Sequence, residues 1–173
     1  EALRRTYGDA HPSVRTTRNN IAYTLHRRGR HAEAEAVYRA LLAETEALLG
    51  PGHPALADPL SNLGKVLMDQ GRFAEAEPFV RQAAAIRRRT GDERSFGRLA
   101  AEVNLGSLEL ALGNLAEAVA LYRSALVRFE SLAGDGSLPV ARCRSLLGVA
   151  LHRAGDPRAA ERLLRAAVER LRG

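Results

Sequence analysis

HPALADPLSNLGKVLMDQGRFAEAEPFVRQAA, residues 53–84, reads as two helices joined at a glycine. Pro54 suits the first turn of a helix, where its missing N–H would have had no intrahelical partner. Leu56, Leu60, Leu63, Gly64 and Leu67 follow at i, i+4, i+7, i+8 and i+11, one apolar stripe of a 3.6-residue period. Gly71 stands where a helix end commonly places a glycine. A second stripe, Ala76, Phe79, Val80, Ala83 and Ala84, begins after Arg72-Phe73. Pro59 and Pro78 fall about a turn and a half inside these spans and predict either a kink or a later helix start.

The stretch is one copy of four. Gly29, Gly71, Gly113 and Gly155 stand 42 residues apart, as do Ala34, Ala76, Ala118 and Ala160. Asn20, Asn62 and Asn104 keep the same interval, and His11-Pro12 returns as His53-Pro54. Ile21, Leu63, Leu105 and Leu147 share one phase. Carried along the chain, this frame predicts helices over 13–28, 31–48, 54–70, 73–89, 94–112, 115–131, 138–154 and 157–171. The repeats are bounded at 8–49, 50–91, 92–133 and 134–173, forming one array over 1–173. Residues 1–7 read as the tail of a preceding helix. The opening Glu1-Ala2-Leu3-Arg4-Arg5 has no initiator Met, so a piece cut from a longer protein is expected.

Ala22, Gly64, Gly106 and Gly148 occupy one position on the first helix of each repeat, and the Ala34 series one on the second. Facing helices approach closely only where such side chains are small, so each hairpin should close there. Leu, Ile, Tyr and Val then fill the seam between neighbours. One hairpin cannot bury its stripe alone, so stacking of units drives folding.

The pattern resembles the tetratricopeptide repeat. Asn62-Leu63-Gly64, Gly71-Arg72-Phe73, Ala76 and Val80 follow that motif, and Tyr38 and Tyr122 supply its aromatic in repeats one and three. The family period is commonly about 34. A period of 42, with His-Pro between units and Gly-Arg-Phe-Ala-Glu-Ala-Glu-Pro at 71–78, resembles the kinesin-light-chain-like subclass. Repeat four departs at Asp156-Pro157-Arg158, and repeat three has Arg94-Ser95-Phe96 in place of His-Pro. The resemblance implies an all-α fold, a right-handed α-α superhelix of about four hairpins with first helices lining the concave wall. It also implies a scaffold that binds a protein or peptide, often as the regulatory or recruiting part of a bacterial signalling protein such as a Ser/Thr kinase.

At about 100° per residue, Asp58, Asn62, Lys65 and Asp69 lie opposite the packed stripe of the second repeat. Their counterparts are Thr16, Asn20, Tyr23 and Arg27, then Ala100, Asn104, Ser107 and Ala111, then Arg142, Leu146, Val149 and Arg153. Asn19, Ser61, Val103 and Ser145 flank the row. An Asn amide donates and accepts at once, so the series Asn20, Asn62 and Asn104 could hold an extended peptide backbone. It could equally tie each helix to an adjacent repeat. An acidic or mixed peptide would be anchored by Arg27, Lys65 and Arg142, since a basic side chain captures a carboxylate.

Composition narrows the alternatives. Net charge is +6, and Lys65 is the sole lysine beside 25 arginines. Both a GC-rich bacterial codon bias and an anionic partner give that balance. The arginines are scattered among glutamates and stacking aromatics are few, which disfavours nucleic acid. The single Cys143 makes no intramolecular disulfide, which fits a reducing cytoplasmic compartment. No apolar run reaches the roughly 20 residues of a membrane helix. His11 and His53 sit in equivalent loops one repeat apart, so capping is expected of them, not metal binding; His31 and His152 read as ordinary helix residues. Glu33, Glu75 and Glu117 recur with the repeat, and no phosphate loop, nucleophile elbow or Cys/His cluster is present. No catalysis and no cofactor are expected. Besides peptide binding, the open alternative is self-association through exposed terminal helices.

Overall fold

The computed structural model of the protein describes residues 11–91 and 95–172. Among them run eight α-helices and no strand: α1 Pro12–Arg27, α2 His31–Leu49, α3 Ala57–Asp69, α4 Phe73–Thr90, α5 Phe96–Leu112, α6 Leu115–Ala133, α7 Leu138–Arg153 and α8 Pro157–Arg172. These follow the periodicity of the sequence closely. Residues 1–7, read as the tail of an earlier helix, and Arg94 lie outside the described residues. A 3₁₀ turn, Pro54–Leu56, precedes α3, so Pro59 falls in the first turn of a helix that starts late. Pro78 is inside α4, where it removes the N–H that would reach the Ala74 carbonyl.

The chain divides into two compact units that part between Thr90 and Gly91. Each holds two hairpins. In the first, α1 packs on α2, α2 on α3 and α3 on α4; in the second, α5 on α6, α6 on α7 and α7 on α8. First helices of successive hairpins also touch within a unit, α1 with α3 and α5 with α7.

Local chemistry fixes the ends. His11 Nδ1 accepts from the Ser13 N–H at 3.2 Å, and His53 Nδ1 from the Ala55 N–H at 3.1 Å. The His-Pro pair is therefore a cap followed by a residue with no N–H to satisfy. In repeat three Ser95 takes over, accepting from the Arg98 N–H at 3.3 Å. At the other end of α3, the Arg72 N–H reaches the Leu67 carbonyl and the Gly71 N–H the Met68 carbonyl, both at 2.9 Å. This wrap needs a left-handed residue, and Gly71 supplies it at φ +76°.

Closure of the second, third and fourth hairpins depends on a missing side chain, where the first has the buried Ala22. A Cβ on Gly64 would lie 2.5 Å from Val80 Cγ2 and 3.5 Å from the Val80 backbone nitrogen. One on Gly106 would lie 2.9 Å from Tyr122 Cε1, and one on Gly148 2.7 Å from Leu164 Cγ. The facing Ala34, Ala76, Ala118 and Ala160 are all buried. In the second unit Leu99, Tyr122, Phe129, Val140, Cys143, Leu147 and Leu151 form the core around this contact.

Charged pairs tie hairpin to hairpin. Arg72, which opens α4, bonds Glu35 of α2 at 2.5 Å and Glu75 of its own helix at 2.7 Å, and Arg39 reaches Glu35 at 2.9 Å. The Arg72 guanidinium holds the Glu35 carboxyl below its ordinary range. In the second unit Arg144 of α7 is held by Glu130 of α6 at 2.6 Å and by Asp135.

Gly64→Ala should lower the urea midpoint. Overpacking costs about 1–3 kcal/mol against the ~1 kcal/mol that Ala gains over Gly in a helix. Adding Val80→Ala should cost less in that background than in the native chain. For Glu35, a depressed folded-state pKa means stability present above the ordinary carboxylate value and lost as pH falls through the folded value. The stability gap between native protein and Glu35→Gln, followed by urea titration, should be widest near neutrality and narrow only as pH falls below the ordinary carboxylate range.

Candidate functional site

Paired first helices leave a crease in each unit, floored by the C-terminal half of the intervening second helix. In the first unit it has a volume of about 240 Å³ and runs between Pro12, Arg15, Thr16 and Asn19 of α1 and Ala55, Asp58 and Pro59, over Leu41 and Thr45 of α2. In the second it has about 290 Å³ and lies between Phe96, Ala100, Val103 and Asn104 of α5 and Leu138, Pro139, Arg142 and Cys143 of α7, over Phe129 of α6. Seven lining positions correspond at an interval of 84 residues, two repeats: Pro12 with Phe96, Thr16 with Ala100, Asn19 with Val103, Thr45 with Phe129, Ala55 with Pro139, Asp58 with Arg142 and Pro59 with Cys143. The backbone builds the same crease twice; the side chains give it two chemistries.

The first crease is mixed, with Arg15, Thr16, Asn19, Thr45 and Asp58 set among Pro12, Leu41, Ala55 and Pro59. Thr45 is 1% exposed, and its hydroxyl has no hydrogen-bond partner among the described residues. Asp58 at the edge pairs with Arg87 of α4. The second crease is apolar. Phe129 is buried beneath it, its ring 5.9 Å from that of Phe96 at 43°. Arg142 is exposed at the edge and has no carboxylate partner among the described residues. Burial pushes the Cys143 thiol up to about 11, and it donates to the Tyr122 carbonyl at 3.4 Å, so it stays protonated and unreactive.

Seven of the wall residues projected from the sequence line these creases: Thr16, Asn19 and Asp58 in one, Ala100, Val103, Asn104 and Arg142 in the other. The three-membered Asn series occupies three settings. Asn62 Nδ2 donates to Asn19 Oδ1 at 3.2 Å, joining α3 to α1. Asn104 lines the second crease. Asn20 is exposed beside Thr17, Ile21 and Thr24 in a shallow depression of α1. Tyr23 and Arg27 are exposed on the same helix. Lys65 Nζ lies 3.6 Å from Asp69, whose other contact is His26 Nε2 at 2.7 Å. That imidazole is buried at the end of α1. Ser107 accepts from the Tyr122 hydroxyl at 2.9 Å and donates to the Val103 carbonyl. Arg153 is exposed near the end of α7.

Thr45 and Phe129, the floors of the creases, escaped sequence reasoning because only first helices were projected onto the wall. Their shared phase across two repeats was the available signal. Among the described residues no three His, Cys, Asp or Glu side chains cluster as metal ligands, and no helix is long and apolar enough to cross a membrane.

The tetratricopeptide repeat family profile matches residues 13–89 and 97–173, one match per unit. The fold is also that of BtubC (BKLC) from P. vanneervenii: TM-score 0.78 at 20% identity over 91% of this chain, which spans 63% of that protein's length. A kinesin-light-chain-type protein of Podosopora anserina, built of nearly identical TPR-like repeats, superposes with TM-score 0.82 at 22% identity, covering 92% of this chain and 76% of its own. A point variant of it gives 0.81 at 23%, over 92% and 75%. No curated protein matches in sequence.

Asn19→Ala and Asn62→Ala should couple. A double-mutant cycle in urea is expected to return about 0.5–1.5 kcal/mol, the net value of one such bond.

Proposed function

The chain belongs to the tetratricopeptide repeat family, and on that premise we propose that it grips a peptide segment of a partner protein in the creases between its first helices. Repeats of this family serve as protein-interaction scaffolds. The observation that carries the finer reading is the double crease: two open clefts at equivalent positions, built from first-helix side chains.

Polar groups suited to a peptide backbone, Asn19, Thr16 and Thr45, stand in one cleft, and Asn104 in the other. The partner segment is acidic. Among the described residues Arg27 and Arg142 have no carboxylate partner, whereas Lys65 is already matched by Asp69. An incoming Asp or Glu would make charge-assisted bonds to the two arginines. Arg72, Arg87 and Arg144 are each engaged by a carboxylate of the chain, which disfavours nucleic acid as the partner.

Peptides selected on the full chain from a random display library should be enriched in Asp and Glu. Arg142→Ala should weaken them about 10-fold or more, as expected for a hydrogen bond to a charged group. Fluorescence anisotropy at several salt concentrations checks both points. Binding that instead requires nucleic acid and falls steeply with salt would remove the proposal.

A further inference from the structure

We propose that the chain joins copies of itself head to tail, the open face of α8 on one copy receiving the open face of α1 on the next. Each face is one half of a joint that the chain already builds internally.

In both units a second helix packs against the first helix of the following hairpin, α2 on α3 and α6 on α7. The first-helix half of this joint is Leu63, Val66 and Leu67 in α3 and Leu147, Ala150 and Leu151 in α7, all buried. The same positions of α1 are Ile21, Thr24 and Leu25, which border a shallow depression, and Ile21 is 51% exposed. The second-helix half is Tyr38 and Leu42 in α2 and Tyr122 and Leu126 in α6, again buried. Contact with the next hairpin is direct there, since the Tyr122 carbonyl accepts from Cys143 of α7. The counterparts in α8, Leu164 and Val168, are 37% and 48% exposed. Covering these apolar groups is favourable, and the two open faces fit each other because they are the two sides of one interface.

Charge fixes the register. In the first unit Arg72 grips Glu75 through Nε and Nη2 and extends Nη1 to Glu35 Oε2 of the preceding hairpin, while Arg39 holds Glu35 Oε1. One repeat earlier Arg30 grips Glu33 through the same two nitrogens, and its Nη1 has no partner among the described residues. Three repeats beyond Glu35, Arg165 holds Glu161 Oε1, and Glu161 Oε2 has no partner among the described residues. Placing α1 of one copy after α8 of another, at the repeat spacing, brings that guanidinium to that carboxylate and reproduces the bond of Arg72 to Glu35. The match is not common to every joint, because the second unit has Val119 and Asp156 at these positions. Like faces would meet without it: Arg30 would find no Glu161. The contact is therefore heterologous, and it propagates from copy to copy unless the rotation closes a ring.

Sedimentation of the full chain over a wide range of concentration should show a mean mass that climbs past two copies. Ile21→Asp spoils only the α1 face and Val168→Asp only the α8 face. Both change exposed residues, so each variant should melt like the native chain yet sediment as a monomer. Mixed together, the two retain one intact face of each kind and should form a one-to-one pair that grows no further. Arg30→Glu or Glu161→Arg alone should weaken association about 10-fold or more, and both in one chain should restore it. A native chain that stays monomeric at every concentration would overturn the proposal. So would a native dimer that grows no further and is not re-formed when the two blocked variants are mixed, the behaviour of like faces meeting. Binding of selected peptides to either monomeric variant tests the peptide reading independently of this joint.

Discussion

The close approach of Gly64 to Val80, of Gly106 to Tyr122 and of Gly148 to Leu164 is the contact from which the other features follow. With no Cβ between them, the two helices of a hairpin sit near enough for the Ala76 series to meet the first helix directly. Larger side chains are then displaced toward the seam between hairpins, where they become the core of each unit. The same displacement sets the first helices of successive hairpins side by side, with the end of a second helix beneath them. A crease is the space left over. It is a by-product of tight packing elsewhere, which explains why it recurs at the same positions in both units although its lining has diverged.

Polar groups at the seams set register more than they add stability. Arg72 with Glu35, Arg144 with Glu130 and Glu102 with Arg128 join elements at defined positions. Partly buried pairs of this kind give back much of their Coulomb energy as desolvation. Removing one partner strands the other, so a hairpin sliding by one turn would lose several bonds together. The bond from Asn62 to Asn19 belongs with them: two side chains that sequence reasoning assigned to a ligand are spent, at least partly, on each other.

The architecture was legible because repetition multiplies weak signals. A single Gly or Ala says little, but four at one spacing fix helix pairing, helix ends and the small-residue contact. The caps were equally readable, since His11-Pro12 and His53-Pro54 recur in the same loop. The crease was harder. Helical projection finds the side of α1 or α5 that faces away from its own hairpin, but cannot tell which of those residues meets a neighbouring first helix. Asn20 and Asn62 share a phase, yet one faces open space and the other is bonded. The floor positions Thr45 and Phe129 come from helices that the projection did not cover, and only the packing of three elements together brings them to the surface of a cleft.

Cys143 forms part of the wall of the second crease and is the only sulfhydryl in the chain. Its reaction with an alkylating reagent must wait for that unit to breathe, because the thiol is 1% exposed and protonated. The chain thus carries a built-in clock for the transient opening of one half, to which the other half, having no thiol, contributes no thiol signal.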